Sequence, residues 1–263
     1  MYLLYCDETN YEKRCGDFFV YGVVAIDSTK AATLSAEIEG IRNRLETPRD
    51  YLLKFNPGPL GFSHDKFIEL KRGVMNAAAQ SDCRLLINLL LHDVAQSSEH
   101  ARRFGINTLC YHFDCLLNRL NEKGIVLIDR FNDREIDAQL RERLAVGLTG
   151  MPPYGSELRI QHILGYHYAA IGQSHFCSVV DVILGSMRFA INAFTRQEND
   201  HLASAINILA QLAPLFYRAE GEQVHEISLW FSPKVIRNQH YREQYLALQE
   251  FLAAHGVTVA QDL

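Results

Sequence analysis

Three aspartates occupy positions from which they could hold a divalent metal ion. Asp7 follows an apolar strand pattern, Asp129 ends the apolar run 125–128, and Asp181 lies within the apolar helix pattern 174–192. A carboxylate on an apolar helix face is costly unless it is paired or bound to a cation. Mg²⁺ and Mn²⁺ prefer carboxylate ligands, and two such ions about 4 Å apart stabilise the attacking and leaving oxygens in phosphodiester cleavage. The sequence therefore predicts an Mg²⁺ or Mn²⁺ site on these three carboxylates.

Glu8 is a weaker candidate for a metal ligand beside Asp7. Side chains alternate along a strand, so these two carboxylates point to opposite faces unless a turn begins between them. Two other interpretations of the aspartates stay open. Asp129 could cap a turn or a helix, and Asp181 could form a salt bridge with Arg188, which lies on the same helix face.

The composition excludes several kinds of protein. Of the 263 residues, 26 are Lys or Arg and 31 are Asp or Glu, which gives a formal net charge of −5. Nucleic-acid binding through bulk positive charge is therefore not expected, although a locally basic groove is allowed. The sequence shows neither a signal-peptide pattern nor an apolar stretch long enough for a membrane span. Its six cysteines form no C-x-x-C pair, which favours reduced thiols and a cytoplasmic location.

Strand and helix patterns alternate along the chain, which predicts a single α/β domain over residues 1–263 with no linker. Residues 28–80 are predicted as a helical insertion, and residues 198–263 as a C-terminal helical extension. Ser28 and Ser63 are the predicted N-caps of the first two helices. The predicted strands are 2–7, 18–26, 84–92, 124–129, 158–168 and a short edge strand at 227–231, and the predicted helices are 28–45, 63–80, 98–121, 132–148, 174–192, 200–217 and 241–255.

The N-terminal motif Tyr5-Cys6-Asp7-Glu8-Thr9-Asn10 resembles the D-E-S-G start of a bacterial and phage family, the domain-of-unknown-function family three thousand eight hundred. The family's mid-chain strand ending in Asp is matched by 126–129. Its late S…Q-x-A-D helix is matched by 174–181, and its lysine after the first inserted helix by Lys54. The likeness spans residues 1 to about 190. Asn10, Ser178 and Val180 stand where the family has Gly, Gln and Ala.

The resemblance implies a ribonuclease-H-like fold, with a mixed five-stranded sheet flanked by helices. Three antiparallel strands, near 2–7, 17–26 and 84–92, would lie beside two parallel strands, near 125–129 and 158–166. Asp7, Asp129 and Asp181 would hold the metal ions, and Lys54 would contact the scissile phosphate as a point charge. The alternative for Lys54 is a solvated surface side chain.

The leading hypothesis is a metal-dependent nuclease that acts on RNA or DNA. One alternative is a non-catalytic ribonuclease-H-like binding module of a phage-defence or regulatory system, and another is a small-molecule phosphohydrolase. His175 could serve as a general acid or phosphate contact, or be a helix cap or core residue. The apolar helices after residue 174 could supply the face of a homodimer.

Overall fold

The computed structural model describes residues 1–129, 160–218 and 221–263. Six strands form one mixed sheet: β1 (Tyr2–Thr9), β2 (Phe18–Asp27), β3 (Arg84–Leu91), β4 (Gly124–Asp129), β5 (Ile163–Ala169) and β6 (Leu229–Ser232). Their order across the sheet is β5-β4-β1-β2-β3-β6. β2 is antiparallel to both β1 and β3, whereas β4 is parallel to β1 and to β5, and β6 is parallel to β3. The described residues therefore contribute six strands to this sheet, whereas the resemblance implied five.

The sixth strand, β6, lies within residues 198–263, the predicted C-terminal helical extension. Residues 227–231 are predicted as a short edge strand, and β6 does lie at the edge of the sheet, beside β3. The preceding helix is shorter than predicted because Pro214 cannot continue an α-helix and lies instead in the short 3₁₀ turn Ala213–Leu215. The chain then returns to the sheet at the predicted edge strand, which pairs with β3.

The described helices lie between the strands and after them. They are α1 (Ala31–Arg44), α2 (His64–Gln80), α3 (Ser98–Leu120), α4 (His175–Thr195), α5 (Asn199–Leu212) and α6 (Gln239–Ala254). Ser63 caps α2 as predicted, because its side chain accepts a hydrogen bond from the Lys66 backbone N–H. The Ser28 prediction is wrong: α1 begins at Ala31 after a turn in which Asp27 accepts from the Thr29 N–H. The predicted helix 132–148 lies outside the described residues.

The sheet is covered on both faces, as the apolar sequence of β2 predicts. One face of β2, including Phe19 and Tyr21, packs in a cluster with residues of α3. The other face, including Phe18 and Val20, packs in a larger cluster to which α1, α2, α4, α5 and α6 contribute. All of residues 18–26 are buried. The central position of β2 is thereby confirmed.

Helix α4 is the one described helix long and apolar enough to cross a membrane, and 78% of its apolar window is buried inside the protein. Such burial is typical of the core helix of a soluble protein. Because its apolar surface is used in the core, α4 leaves little of that surface for the predicted homodimer face. The cytoplasmic location and the homodimer stay predictions.

Candidate functional site

A cavity of about 70 Å³ lies where β1, β4 and α4 meet, and four of the predicted site residues line it. Asp7, Asp129 and Asp181 contribute carboxylates, and Lys54 contributes its ammonium from the segment between α1 and α2. The volume can hold several water molecules or small ions. The structure therefore brings together side chains from four separate parts of the chain.

Two of the carboxylates are placed together by strand pairing. β1 and β4 are parallel neighbours in which Cys6 pairs with Ile128. Asp7 and Asp129 each follow the paired residue, so they lie at the same level of adjacent strands. Neighbouring strands are about 4.8 Å apart, which is close enough for two such carboxylates to share a cation. Asp129 is exposed at its strand end, on the open side of the site.

The carboxyl of Asp7 lies in an environment that disfavours its negative charge. Burial raises its pKa well above the usual value, and the nearby carboxylates of Glu8, Asp129 and Asp181 raise the pKa further. One compensating contact lowers the pKa: the Glu8 backbone N–H donates to Asp7 Oδ1 over 2.8 Å. A bound cation would relieve the repulsion among these acids.

Asp181 is held by the backbone of a distant loop. The Phe55 N–H donates to Asp181 Oδ2 over 2.6 Å. Burial raises the pKa of Asp181, whereas this hydrogen bond and the charges of Lys54 and Arg188 lower it. The guanidinium of Arg188 lies over the Phe55 ring, 5.7 Å from its centroid. Within the described ranges, Asp181 and Arg188 form no direct ion pair, so the interpretation of Asp181 as the partner of Arg188 is replaced by the contact with Phe55.

A glycine on α4 allows this loop to approach. Gly185 lies one helical turn after Asp181, and a Cβ built on it would come within 2.3 Å of the Phe55 Cγ. The missing side chain is therefore what lets the Phe55 side chain lie against α4. The same contact brings Lys54 to the cavity, because Lys54 precedes Phe55 in the chain.

Gly185→Ala is expected to destabilise the protein by about 1–3 kcal/mol, because the new methyl overlaps the inner atoms of Phe55 rather than a flexible end. The displaced loop would also weaken the hydrogen bond to Asp181. Urea unfolding measures the effect. Gly40→Ala is the matched control: it lies in α1 with nothing within 4 Å of the new Cβ, and it should stabilise by about 0.5–1 kcal/mol through helix propensity. Equal effects at the two glycines would contradict the packing argument.

Glu8 lies on the opposite face of β1, as strand alternation predicts. Its Oε1 is 2.5 Å from Nη2 of Arg102, which comes from α3 on the other side of the sheet. Burial raises the pKa of Glu8, and the Arg102 charge lowers it. Glu8 does not line the carboxylate cavity. The structure thus places Asp7 in the site and gives Glu8 a different partner.

The structure shows the contacts of His175, whose role the sequence left open, and of Asn10, which stands where the family has Gly. His175 Nε2 is 2.9 Å from Glu39 Oε1 of α1, and the imidazole does not line the carboxylate cavity. Asn10 has a φ of 56°, a left-handed conformation that Gly and Asn adopt with little strain. Asn10 and Asn192 also exchange side-chain hydrogen bonds of 2.8 and 3.1 Å, which ties the end of β1 to α4.

The backbone N–H of Phe55 is one functional group that the sequence patterns do not predict. No sequence signal points to it, since the residue contacts Asp181 through its main chain. The apolar wall of the cavity was also not foreseen. It includes Tyr5, Ile171, Cys177 and Val180.

No family model, no curated protein and no solved structure matches the chain. In residues 1–129, 160–218 and 221–263, no group of three or more His, Cys, Asp and Glu side chains has metal-binding geometry. The resemblance of the 5–10 motif and the Mg²⁺ or Mn²⁺ site therefore stay predictions, and the chemistry of the cavity must carry the functional argument.

Proposed function

We propose that this chain is an Mg²⁺- or Mn²⁺-dependent nuclease that hydrolyses phosphodiester bonds. The observation that carries the proposal is the meeting of Asp7, Asp129, Asp181 and Lys54 around one cavity. Three acids and one cation are a suitable set for a phosphodiester, because the acids can hold hard cations and the lysine can bind the phosphate.

The sheet supports a ribonuclease-H-like interpretation of the fold. Without β6, the strand order is β5-β4-β1-β2-β3, with three antiparallel strands beside two parallel ones. This is the arrangement that the resemblance implies. The proposed acids lie on the first strand, at the end of the fourth strand, and on the helix after the fifth.

The donor set has the chemistry that a hard divalent cation prefers. Its members are carboxylates, and the raised pKa of Asp7 reflects the mutual repulsion of the acids as well as their burial. Asp7, Asp129 and Asp181 would hold the cation. When bound, Mg²⁺ or Mn²⁺ supplies Lewis-acid stabilisation of charge on the phosphate and lowers the pKa of water at the site.

The chain's own groups would position the substrate. The ammonium of Lys54 would attract a non-bridging phosphate oxygen and orient the phosphodiester over the carboxylates. The Phe55 N–H keeps one oxygen of Asp181 in place, so the carboxylate presents its other oxygen without reorganisation. The apolar wall around Tyr5 and Val180 limits water on one side of the reacting group.

A Mn²⁺ titration of the purified protein tests the proposal. We expect the melting temperature to rise with Mn²⁺, because a ligand that binds the native state stabilises it. Single-stranded, duplex and hybrid oligonucleotides should be cleaved in the presence of Mn²⁺ or Mg²⁺, at least one of them faster than p-nitrophenyl phosphate. Metal stabilisation with hydrolysis of small phosphoesters only would favour a phosphohydrolase. No metal response and no cleavage would favour a non-catalytic binding module.

Lys54→Gln is expected to weaken oligonucleotide binding in the presence of Mg²⁺ and to reduce the slope of log affinity against log salt by about 0.7–0.9, the contribution of one phosphate contact. Fluorescence anisotropy over a range of NaCl concentrations measures both. Lys234→Gln, which changes an exposed lysine outside the cavity, is the charge-matched control. Unchanged slopes in both variants would place Lys54 outside the phosphate contact.

A further inference from the structure

A second cavity, of about 250 Å³, lies between α2, α4 and α5. Phe55 lines it, and the backbone N–H of the same residue donates to Asp181, which lines the carboxylate cavity. Its walls include Ile68 and Met75 of α2, Phe189 of α4 and Ile208 of α5. The volume is smaller than the roughly 300–1,000 Å³ of pockets for drug-sized ligands, and its walls are largely apolar. Such a space suits one planar ring system.

Two side chains that line this cavity each have a buried polar atom with no hydrogen-bond partner among the described residues. Ser186 is 1% exposed, and its Oγ forms no hydrogen bond in the part of the chain that the structure describes. The same is true of Gln211 Oε1, although the Gln211 amide donates to the Asn207 carbonyl. Both residues line the cavity. Since buried polar groups are normally hydrogen-bonded, these atoms leave hydrogen-bonding capacity beside the cavity for a ligand that has its own donors and acceptors.

The surroundings of the cavity are positively charged. Lys71 Nζ lies 4.3 Å from the ring centroids of both Phe55 and Phe67, and Arg72 is exposed beside it. Among the described residues that line the cavity, none is acidic. In a chain of net charge −5, this is a local basic surface, and Lys71 lies over the ring of Phe55, the residue after Lys54.

We propose that the cavity binds a nucleobase of a single-stranded nucleic acid whose neighbouring phosphate lies at the Asp7–Asp129–Asp181 site, an inference that rests on the proposed nuclease function. A nucleobase has apolar faces for the walls of Ile68 and Phe189. It also has a polar edge that can use the Ser186 hydroxyl and the Gln211 carbonyl. The attached phosphates carry the negative charge that Lys71 and Arg72 attract.

Filling the cavity from its exposed side tests the inference. Ser204 is exposed, lies on α5 and lines the cavity, so Ser204→Trp should block it without disturbing the core. Ala203→Trp is the matched control, because Ala203 is the adjacent exposed residue of α5 and does not line the cavity. Isothermal titration compares nucleoside 5′-monophosphates with ribose 5-phosphate. We expect the parent and Ala203→Trp to bind at least one base-containing ligand about five-fold or more tightly than ribose 5-phosphate, and Ser204→Trp to lose that preference.

Ser186→Val tests whether the Ser186 hydroxyl recognises the polar edge of the nucleobase. Valine removes the unsatisfied hydroxyl, and the cavity that Ser186 lines leaves room for its methyl groups, so the fold should be retained. Thr195→Val is the matched control. The Thr195 hydroxyl on the same helix is also buried with no hydrogen-bond partner in the described part of the chain, but it lies outside the cavity. We expect only Ser186→Val to change the ranking among the four nucleoside monophosphates.

Tetranucleotides distinguish a base that belongs to a nucleic-acid strand from a base that belongs to a free nucleotide. Binding is measured with the Asp181→Asn protein, in which cleavage is prevented. A tetranucleotide should bind more tightly than a mononucleotide and more tightly than an abasic tetranucleotide. Equal affinity for mononucleotide and tetranucleotide would overturn the assignment to a strand in favour of a free nucleotide. Loss of base preference in Ser204→Trp without any Mn²⁺-dependent cleavage by the parent would support the base site and contradict the nuclease. Cleavage by a parent with no preference for bases would contradict the base site alone.

Discussion

Asp181→Asn is expected to leave the metal-free protein at least as stable as the parent while removing its stabilisation by Mn²⁺. Burial and the nearby Asp129 raise the pKa of Asp181, so its negative charge is disfavoured in the folded state. An asparagine keeps an oxygen that can accept from the Phe55 N–H, and it no longer repels the other acids. The amide is a poorer ligand for a hard cation, so nuclease activity should fall by at least about 100-fold, the upper range for residues that only support metal ligands.

Thermal melts with and without Mn²⁺, together with cleavage assays, measure these effects. The charge-matched control is Asp262→Asn, at an exposed position near the C-terminus, which should keep both the parent's Mn²⁺ response and its activity. A different result is expected if Asp181 mainly balances the positive charges of Lys54 and Arg188. The metal-free variant would then melt several degrees lower than the parent, yet it would respond to Mn²⁺ like the parent. That result would contradict the proposal that Asp181 is a metal ligand.

The metal-free protein is expected to lose stability as the pH rises through the raised pKa of Asp7. In the unfolded chain this carboxyl has an ordinary pKa near 3.8, and in the fold burial and neighbouring acids raise it well above that value. Between the two pKa values the folded state binds more protons than the unfolded state, so the free energy of unfolding falls with increasing pH. The stabilising contribution is complete below the unfolded pKa and is lost as the pH rises through the folded pKa.

Asp7→Asn should remove this contribution and make the metal-free variant more stable than the parent at pH 7. The difference between the two proteins should grow with pH by up to about 1.4 kcal/mol per pH unit, the limit for one proton. Urea unfolding in EDTA from pH 4 to pH 8 measures it. In Mn²⁺ the order of stability should reverse, because only the parent keeps all three of the proposed metal ligands. A constant difference across this range would show that Asp7 titrates normally in the fold.

Much of the fold is predictable from local sequence because each pattern reports its own environment. The unbroken apolar run of β2 predicts a strand covered on both faces, and Ser63 predicts the start of α2. Errors arise where a local signal competes with another. Ser28 has the features of an N-cap, but the Asp27 side chain turns the chain first and α1 begins at Ala31.

The candidate acids are equally visible in the sequence. A charged side chain at the end of an apolar strand or inside an apolar helix stands out from its surroundings, and Asp7, Asp129 and Asp181 are found in this way. Strand alternation also predicts that Glu8 points to the face opposite Asp7. The ion pair of Glu8 with Arg102, on the other side of the sheet, agrees with this. These are short-range properties, set by a periodicity of two in strands and 3.6 in helices.

Only the tertiary structure decides which distant groups surround those acids. The sequence by itself determined the strands, most of the helices and the three carboxylates, because these depend on neighbouring residues. The Phe55 N–H meets Asp181 across 126 residues, and this contact depends on the space that Gly185 leaves on α4. The base-sized cavity depends likewise on how α2, α4 and α5 pack. Packing of separate elements is a property of side-chain shapes in three dimensions, and no local pattern encodes it.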